Sequence, residues 1–166
     1  MTTIAINREA MSADTRVITG GSFWHESKIF RVGNSLFGTV GSGFACLAFL
    51  GWYQSPRRNP LELHKMFAEQ DRDDILIFEL NPGGIYAWNG WGYPAKLLDD
   101  MYAGGSGGMA ALEAMRNGAT PEEAIKRATA HDENTGSPVQ TEYVLPPELL
   151  PKTRRKRGQR ANNRNP

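Results

Sequence analysis

The chain has 166 residues, 40% hydrophobic and 22% charged, with a formal net charge of +1. That length and balance suit one globular domain with a sizeable core, and no apolar run approaches the ~20 residues a membrane helix needs. The single cysteine, Cys46, excludes an internal disulfide and a cysteine-rich metal site, and with no basic-then-apolar leader pattern at the start a cytoplasmic location is expected.

Apolar, β-branched residues begin almost at once, so residues 2–6 are expected to form a buried strand. "NREA" reads as a tight turn and "MSADTRVIT" as a second strand reaching Thr19. "GGSFWHES" reads as a loop. "KIFRV" and "SLFGTVG", separated by Gly33-Asn34, form a hairpin signal. "SGFACLAFLGWYQ" is too long for a typical strand and reads as a buried helix. "SPRRNP" ends it, and "PLELHKMFAEQ" opens a short amphipathic helix with Pro60 at its start.

"DDILIFEL", "NPGG" and "IYAWNG" read as the next hairpin, and residues 93–103 as a further strand. "GGSGGMAALEAMRNG" is an alanine-rich helix entered through glycines and stopped by Gly118. "ATPEEAIKRATAH" places Thr120, Pro121 and Glu123 as N-cap, first and third positions of a helix. "DENTGSP" is a loop and "VQTEYV" the final strand. Two strand blocks separated by helix pairs suit an α+β fold, a four-layer αββα sandwich of two stacked antiparallel sheets flanked by helices.

The near-zero net charge hides an asymmetry. Residues 151–166 carry seven basic side chains and no acid, which leaves 12 basic against 18 acidic residues before them. We therefore divide the chain into a domain over residues 2–145 and a Pro-rich exit with a basic, disordered tail over residues 146–166. Such a tail suits either phosphate binding or an acidic neighbouring subunit. A role in nucleic-acid binding would be auxiliary, because the domain itself is acidic.

The chemistry starts at the beginning of the chain. Methionine is normally removed before a small residue, and Thr2 is small. The new N-terminal threonine would carry a hydroxyl nucleophile and, in its own α-amine, a base with a pKa of about 7.7–8.0. A chance Met-Thr start is the alternative on these residues alone. His25, His64 and His131 lack metal-ligand spacing and read as structural or surface residues. The glycines around Ser106 lack the Gly-Lys-Ser/Thr ending of a phosphate loop.

Several segments, taken in order, resemble one family. "TTIA" after Met1, "SADTRV", "SKIFRV", "FGTVGSGFAC" and "AGGSGGMAALEAMRNGATPEEAIKRATAHDENTGSPV" are similar to the N-terminal-nucleophile (Ntn) hydrolases of the proteasome β-subunit and HslV group. The resemblance covers roughly residues 2–145 and has the compact form found in bacteria and their phages. It implies a threonine peptidase that cleaves polypeptides, with Thr2 as nucleophile, Asp14 as catalytic acid and Lys28 as catalytic lysine. It also implies roles for Ser106 and for the loop carrying Asp132 and Thr135, and an oxyanion-hole amide at Gly41 or Ser42. In the HslV branch a monovalent cation, Na+ or K+, binds through loop carbonyls, here those of Thr129, Asp132 and Thr135. No cofactor is otherwise required. The resemblance further implies a homo-oligomeric ring or stacked rings, with an ATPase unfoldase as a partner class. The apolar helix and Trp88, Trp91 and Tyr93 would supply interface as well as core. The alternatives are a catalytically silent scaffold subunit and an amidohydrolase acting on small amides.

The residues fit that chemistry. An ammonium at Lys28 would lower the pKa of a neighbouring amine, and its burial demands an acid such as Asp14. Ser106 suits either a donor to the Thr2 amine or a helix cap.

Overall fold

The computed structural model describes residues 1–66, 75–88 and 93–145. Trp91, the end of the second predicted helix and the whole basic tail lie outside these residues.

Eleven strands and four helices are described. The first sheet has the order β10-β1-β2-β11, from β1 (Thr3–Asn7), β2 (Ala10–Asp14), β10 (Met101–Gly105) and β11 (Val139–Tyr143). The second has the order β5-β6-β7-β8-β9, from β5 (Ile29–Val32), β6 (Ser35–Val40), β7 (Leu76–Asn81), β8 (Gly84–Trp88) and β9 (Pro94–Lys96). Every pairing is antiparallel. The helices are α1 (Gly43–Gln54), α2 (Pro60–Met66), α3 (Gly108–Arg116) and α4 (Pro121–Ala128).

Strand alternation makes the layers. On β1, Ile4 and Ile6 face the second sheet, where they meet Leu36, Phe78, Leu80 and Ile85. Ala5, on the opposite face, joins Ala111, Ala124, Ile125 and Ala128 of α3 and α4. The far face of the second sheet contributes Phe37, Ile77 and Trp88 to a third core with Phe49 and Trp52 of α1 and Leu63 of α2. Three cores between four layers make the αββα sandwich.

Local chemistry sets the helix ends. Thr120 and Glu123 close a reciprocal capping box at the start of α4, and Ser42 caps α1 by accepting the Ala45 N–H. Gly118, with φ of 89°, follows the end of α3.

Three expectations need correction. Residues 93–103 are not one strand: Pro94–Lys96 (β9) pair with β8 in the second sheet, and Met101–Gly105 (β10) cross to pair with β1 in the first. "MSADTRVIT" is not one strand: it breaks at Thr15, whose N–H and hydroxyl both donate to the Pro138 carbonyl. "GGSFWHES" is not simply a loop. Residues Arg16–Thr19 (β3) and Ser22–His25 (β4) pair as a separate two-stranded ribbon. Gly20 and Gly21 both take positive φ, 54° and 78°, which suits the two-residue turn that matches strand twist. The ribbon's exposed faces lack hydrophobic alternation, which is why pattern alone missed it.

Candidate active site

The register of the first sheet brings the chain's start to Asp14. Ile4 pairs with Ala13, so Thr3 and Asp14 lie at the same end of β1 and β2. The Asp14 carboxylate is fully buried and accepts the Thr3 N–H at 2.8 Å. Lys28 enters from the segment between the ribbon and β5. Its ammonium donates to both Asp14 oxygens at 3.0 Å, to the Arg16 carbonyl at 2.6 Å and to the Met1 carbonyl at 3.1 Å. Three protons thus serve four oxygens, with one shared across the carboxylate. Burial pushes the Lys28 ammonium below its ordinary value, while the charge and hydrogen bonds of Asp14, and the charge of Glu26, oppose that shift.

Thr2 borders a cleft of about 610 Å³ together with Lys28, Trp24, Phe30, Gly41 and Cys46. Its carbonyl accepts the Ser106 N–H at 3.0 Å. Gly105 makes this approach feasible: a Cβ there would collide with the Thr2 carbonyl, and its φ of 91° disfavours other residues. Of the two oxyanion-hole candidates, Gly41 borders the cleft, while the Ser42 side chain caps α1. Burial raises the Cys46 thiol, with a hydrogen bond from its Thr39 partner opposing, so the cleft's sulfur is protonated at neutral pH.

Ser106 does not cap α3. Gly107 occupies that position and has no side chain to cap with; the Ser106 N–H donates to the Thr2 carbonyl and the Gly107 N–H to the Thr3 hydroxyl at 2.8 Å. The Thr3 hydroxyl also meets that of Thr135 at 2.6 Å, and Thr135 donates to Asp132 at 2.6 Å. A hydroxyl has one proton to give. Thr135 gives its proton to the carboxylate, so Thr3 donates to Thr135 and accepts from Gly107. The chain therefore runs in one direction, Gly107 N–H to Thr3 to Thr135 to Asp132. Desolvation raises the Asp132 pKa, but the hydroxyls of Ser106 and Thr135 and the donors of Asn134 outweigh it and bring the value down to about 2.

Thr3 and Gln140 belong to this site and were not singled out from sequence. A threonine opening an otherwise apolar strand was the available signal for Thr3; a mid-strand glutamine offered none. Thr129, Asp132 and Thr135 lie on α4's C-terminal turn and the loop after it. Their carbonyl oxygens are hard neutral donors suited to Na+ or K+, and that of Asp132 already accepts the Thr135 N–H at 3.1 Å, so a cation would share it. Among the described residues no cluster of three or more His, Cys, Asp and Glu could hold a metal. His25 meets the Thr15 hydroxyl at an exposed position, and His131 is exposed. Trp88 is in the core, whereas Tyr93 is exposed.

No family model matches the sequence, and no curated protein matches it. Solved structures do match its fold. The BPH, or bacterial proteasome homologue, of Thiobacillus denitrificans superposes with a TM-score of 0.69 at 22% identity, over 86% of this chain and 96% of that one. The same protein in complex with epoxomicin gives 0.65 at 19% identity, over 87% and 99%. Eukaryotic HslV from Trypanosoma brucei gives 0.63 at 20% identity, over 85% and 98%. The chain has the Ntn-hydrolase fold in its compact, proteasome- and HslV-like form. Within that fold, the ends of β1 and β2 and the segment before β5 bring the Asp14 carboxylate, the Lys28 ammonium, the Thr3 N–H and the Met1 carbonyl together, next to the cleft that Thr2 borders. No helix among the described residues is long and apolar enough to cross a membrane.

Proposed function

We propose that the protein is a threonine peptidase whose nucleophile is Thr2, exposed by removal of Met1. The observation that carries this reading is the Lys28 ammonium, buried on Asp14 and bonded to the Met1 carbonyl, an oxygen two bonds from the Thr2 nitrogen. With Met1 attached, that nitrogen is an amide and has no basicity. With Met1 removed, it is an amine beside a positive charge, which lowers its pKa and keeps more of it neutral.

The Thr2 hydroxyl then attacks a substrate carbonyl. Its proton passes to the α-amine, directly or through a water, and the Oγ–C bond forms. Backbone N–H groups at Gly41 or Ser42 meet the oxyanion. The C–N bond breaks as the amine returns its proton to the leaving nitrogen, and water then hydrolyses the ester. Asp14 holds Lys28, and the Ser106–Thr2 and Gly107–Thr3 bonds hold the strand that carries the nucleophile.

The cleft's apolar walls, including Val17, Phe30 and Leu47, suit a polypeptide side chain. A closed homo-oligomeric ring would confine such a nucleophile. Phe44 and Leu47 on α1 are 80% and 62% exposed, apolar surface suited to a neighbouring subunit. An ATPase unfoldase would deliver folded substrates to such a ring.

Intact-mass analysis tests the reading. We expect loss of Met1 and a single adduct of an epoxyketone or β-lactone on the new N-terminus. Thr2→Ala should abolish both adduct and turnover with the fold retained. Turnover persisting in that variant, or Met1 wholly retained in active protein, would overturn the assignment.

A further inference from the structure

Gln140 lies on β11, the edge strand of the first sheet, opposite Ala13 of β2. Its side-chain amide spans to the edge of the second sheet and makes four hydrogen bonds there. Oε1 accepts from the Lys28 N–H at 3.0 Å and the Ile29 N–H at 3.2 Å, and shares the one proton of the Ser27 hydroxyl, at 3.1 Å, with the Ile29 carbonyl at 2.9 Å. Nε2 donates to the Ile29 carbonyl at 3.0 Å. Ile29 sits on β5, an edge strand with β6 as its one neighbour. Its N–H and C=O are both taken by the amide, as the peptide group of an added strand would take them.

We infer that Gln140 is a positioning residue for Lys28, stapling the Lys28–Ile29 backbone of one sheet to the other so that the ammonium is delivered onto Asp14. The inference rests on the peptidase reading of Lys28. Lys28 has no strand partner of its own upstream: the ribbon before it is a separate two-stranded unit. The Thr39 N–H to Lys28 carbonyl bond, at 3.3 Å, ties it to the second sheet alone, whereas Asp14 belongs to the first. An ammonium that must meet the Asp14 carboxylate and the Arg16 carbonyl needs its backbone set relative to both sheets, and Gln140 bridges them at Lys28 itself, whereas Arg31, which also crosses to Glu142 and Tyr143 of β11, does so three residues further along. Catalytic groups need placement to within about 0.5 Å, which supporting hydrogen bonds provide.

The test uses the processed full chain and Gln140→Met, which keeps volume but loses all four bonds. Lys28 faces the Asp14 and Glu26 carboxylates and the Arg16 carbonyl. Loosening it withdraws positive charge from the Thr2 amine. In Gln140→Met we expect kcat to fall about tenfold with KM little changed, as for a group misplaced by a fraction of an ångström. The acid limb of kcat/KM should move up by about half a pH unit as the amine pKa rises. The Lys28 Cε resonance, followed by NMR through its titration, needs no turnover, and its midpoint should rise towards the ordinary lysine value in Gln140→Met as the ammonium is solvated.

An unmoved acid limb and unmoved Lys28 midpoint in Gln140→Met, or a rate loss matching only the unfolded fraction, overturns the inference. Wild-type protein that neither cleaves peptides nor takes the electrophile overturns the peptidase reading instead, and the Lys28 midpoint then decides Gln140's role alone.

Discussion

The two helical layers of the sandwich are packed with different kinds of side chain. Between α1 and the second sheet, Phe37, Phe49, Trp52, Tyr53 and Trp88 form an aromatic cluster with ring centroids 4.5–6.0 Å apart. Between α3, α4 and the first sheet the packing is mostly alanine: Ala5, Ala103, Ala111, Ala114, Ala124 and Ala128. Large rings bury much area but hold helix and sheet apart. Alanines bury little but let backbones approach. Only on the alanine side does a helix start close enough for the Gly107 N–H to reach a strand hydroxyl. The aromatic layer therefore carries stability, and the small-residue layer sets the geometry of β1, the strand that follows Thr2.

The largest effect that separates these roles is Phe49→Ala. Phe49 is fully buried and touches Phe37, Trp52, Tyr53 and Trp88. Its truncation should cost about 3–5 kcal/mol by lost burial and cavity formation. Urea denaturation followed by tryptophan fluorescence measures this. The fraction that remains folded should keep its rate on a small peptide. A folded fraction with a much reduced rate would mean that the aromatic layer also sets site geometry.

This division was only partly legible in the sequence. The αββα order followed from strand and helix periodicity, and the starts of the two alanine-rich helices from Gly and Thr-Pro signals. Those features are local, and local chemistry fixes them. The ribbon was missed because Phe23 and Trp24 are exposed and do not alternate with polar residues as a half-buried strand does. The pairing of Lys28 with Asp14 was visible through resemblance to a family, but Thr3 and Gln140 act through contacts 104–132 and 111–113 residues away in sequence. No local pattern encodes such pairings. They exist only once the two sheets have stacked.

Thr3→Val sharpens the comparison from the other side. Valine keeps the shape and the burial but removes the hydroxyl that joins Gly107 to Thr135. The Gly107 N–H is then buried without an acceptor, at a cost of about 1–3 kcal/mol. The loss of stability should be smaller than for Phe49→Ala. The loss of rate should be larger, because the strand carrying Thr2 loses its tie to the start of α3. The two variants, compared in one denaturation and one peptidase assay, should rank in opposite orders. The same ranking in both assays would dissolve the distinction between the layers.

The smallest effect is the pH dependence of the hydroxyl chain at its far end. Asp132 terminates that chain as an acceptor, and in the folded protein its pKa stands at about 2 against an ordinary 3.8. A depressed folded value means the unfolded state binds the proton more tightly. The stabilisation is therefore fully present above about pH 4 and is lost as pH falls towards 2. Asp132 is partly open to solvent, so screening reduces the contribution to about 1 kcal/mol or less. Once protonated, the carboxyl is itself a donor at one oxygen, and Thr135 must share what remains. Asp132→Asn removes the titration while leaving an acceptor in place. The stability difference between wild type and Asp132→Asn should therefore shrink between pH 6 and pH 2.5, and should be smaller in high salt. A difference that stays constant across that range would mean that the Thr3–Thr135 chain is held by its neutral hydrogen bonds alone and that the carboxylate's charge contributes nothing to it.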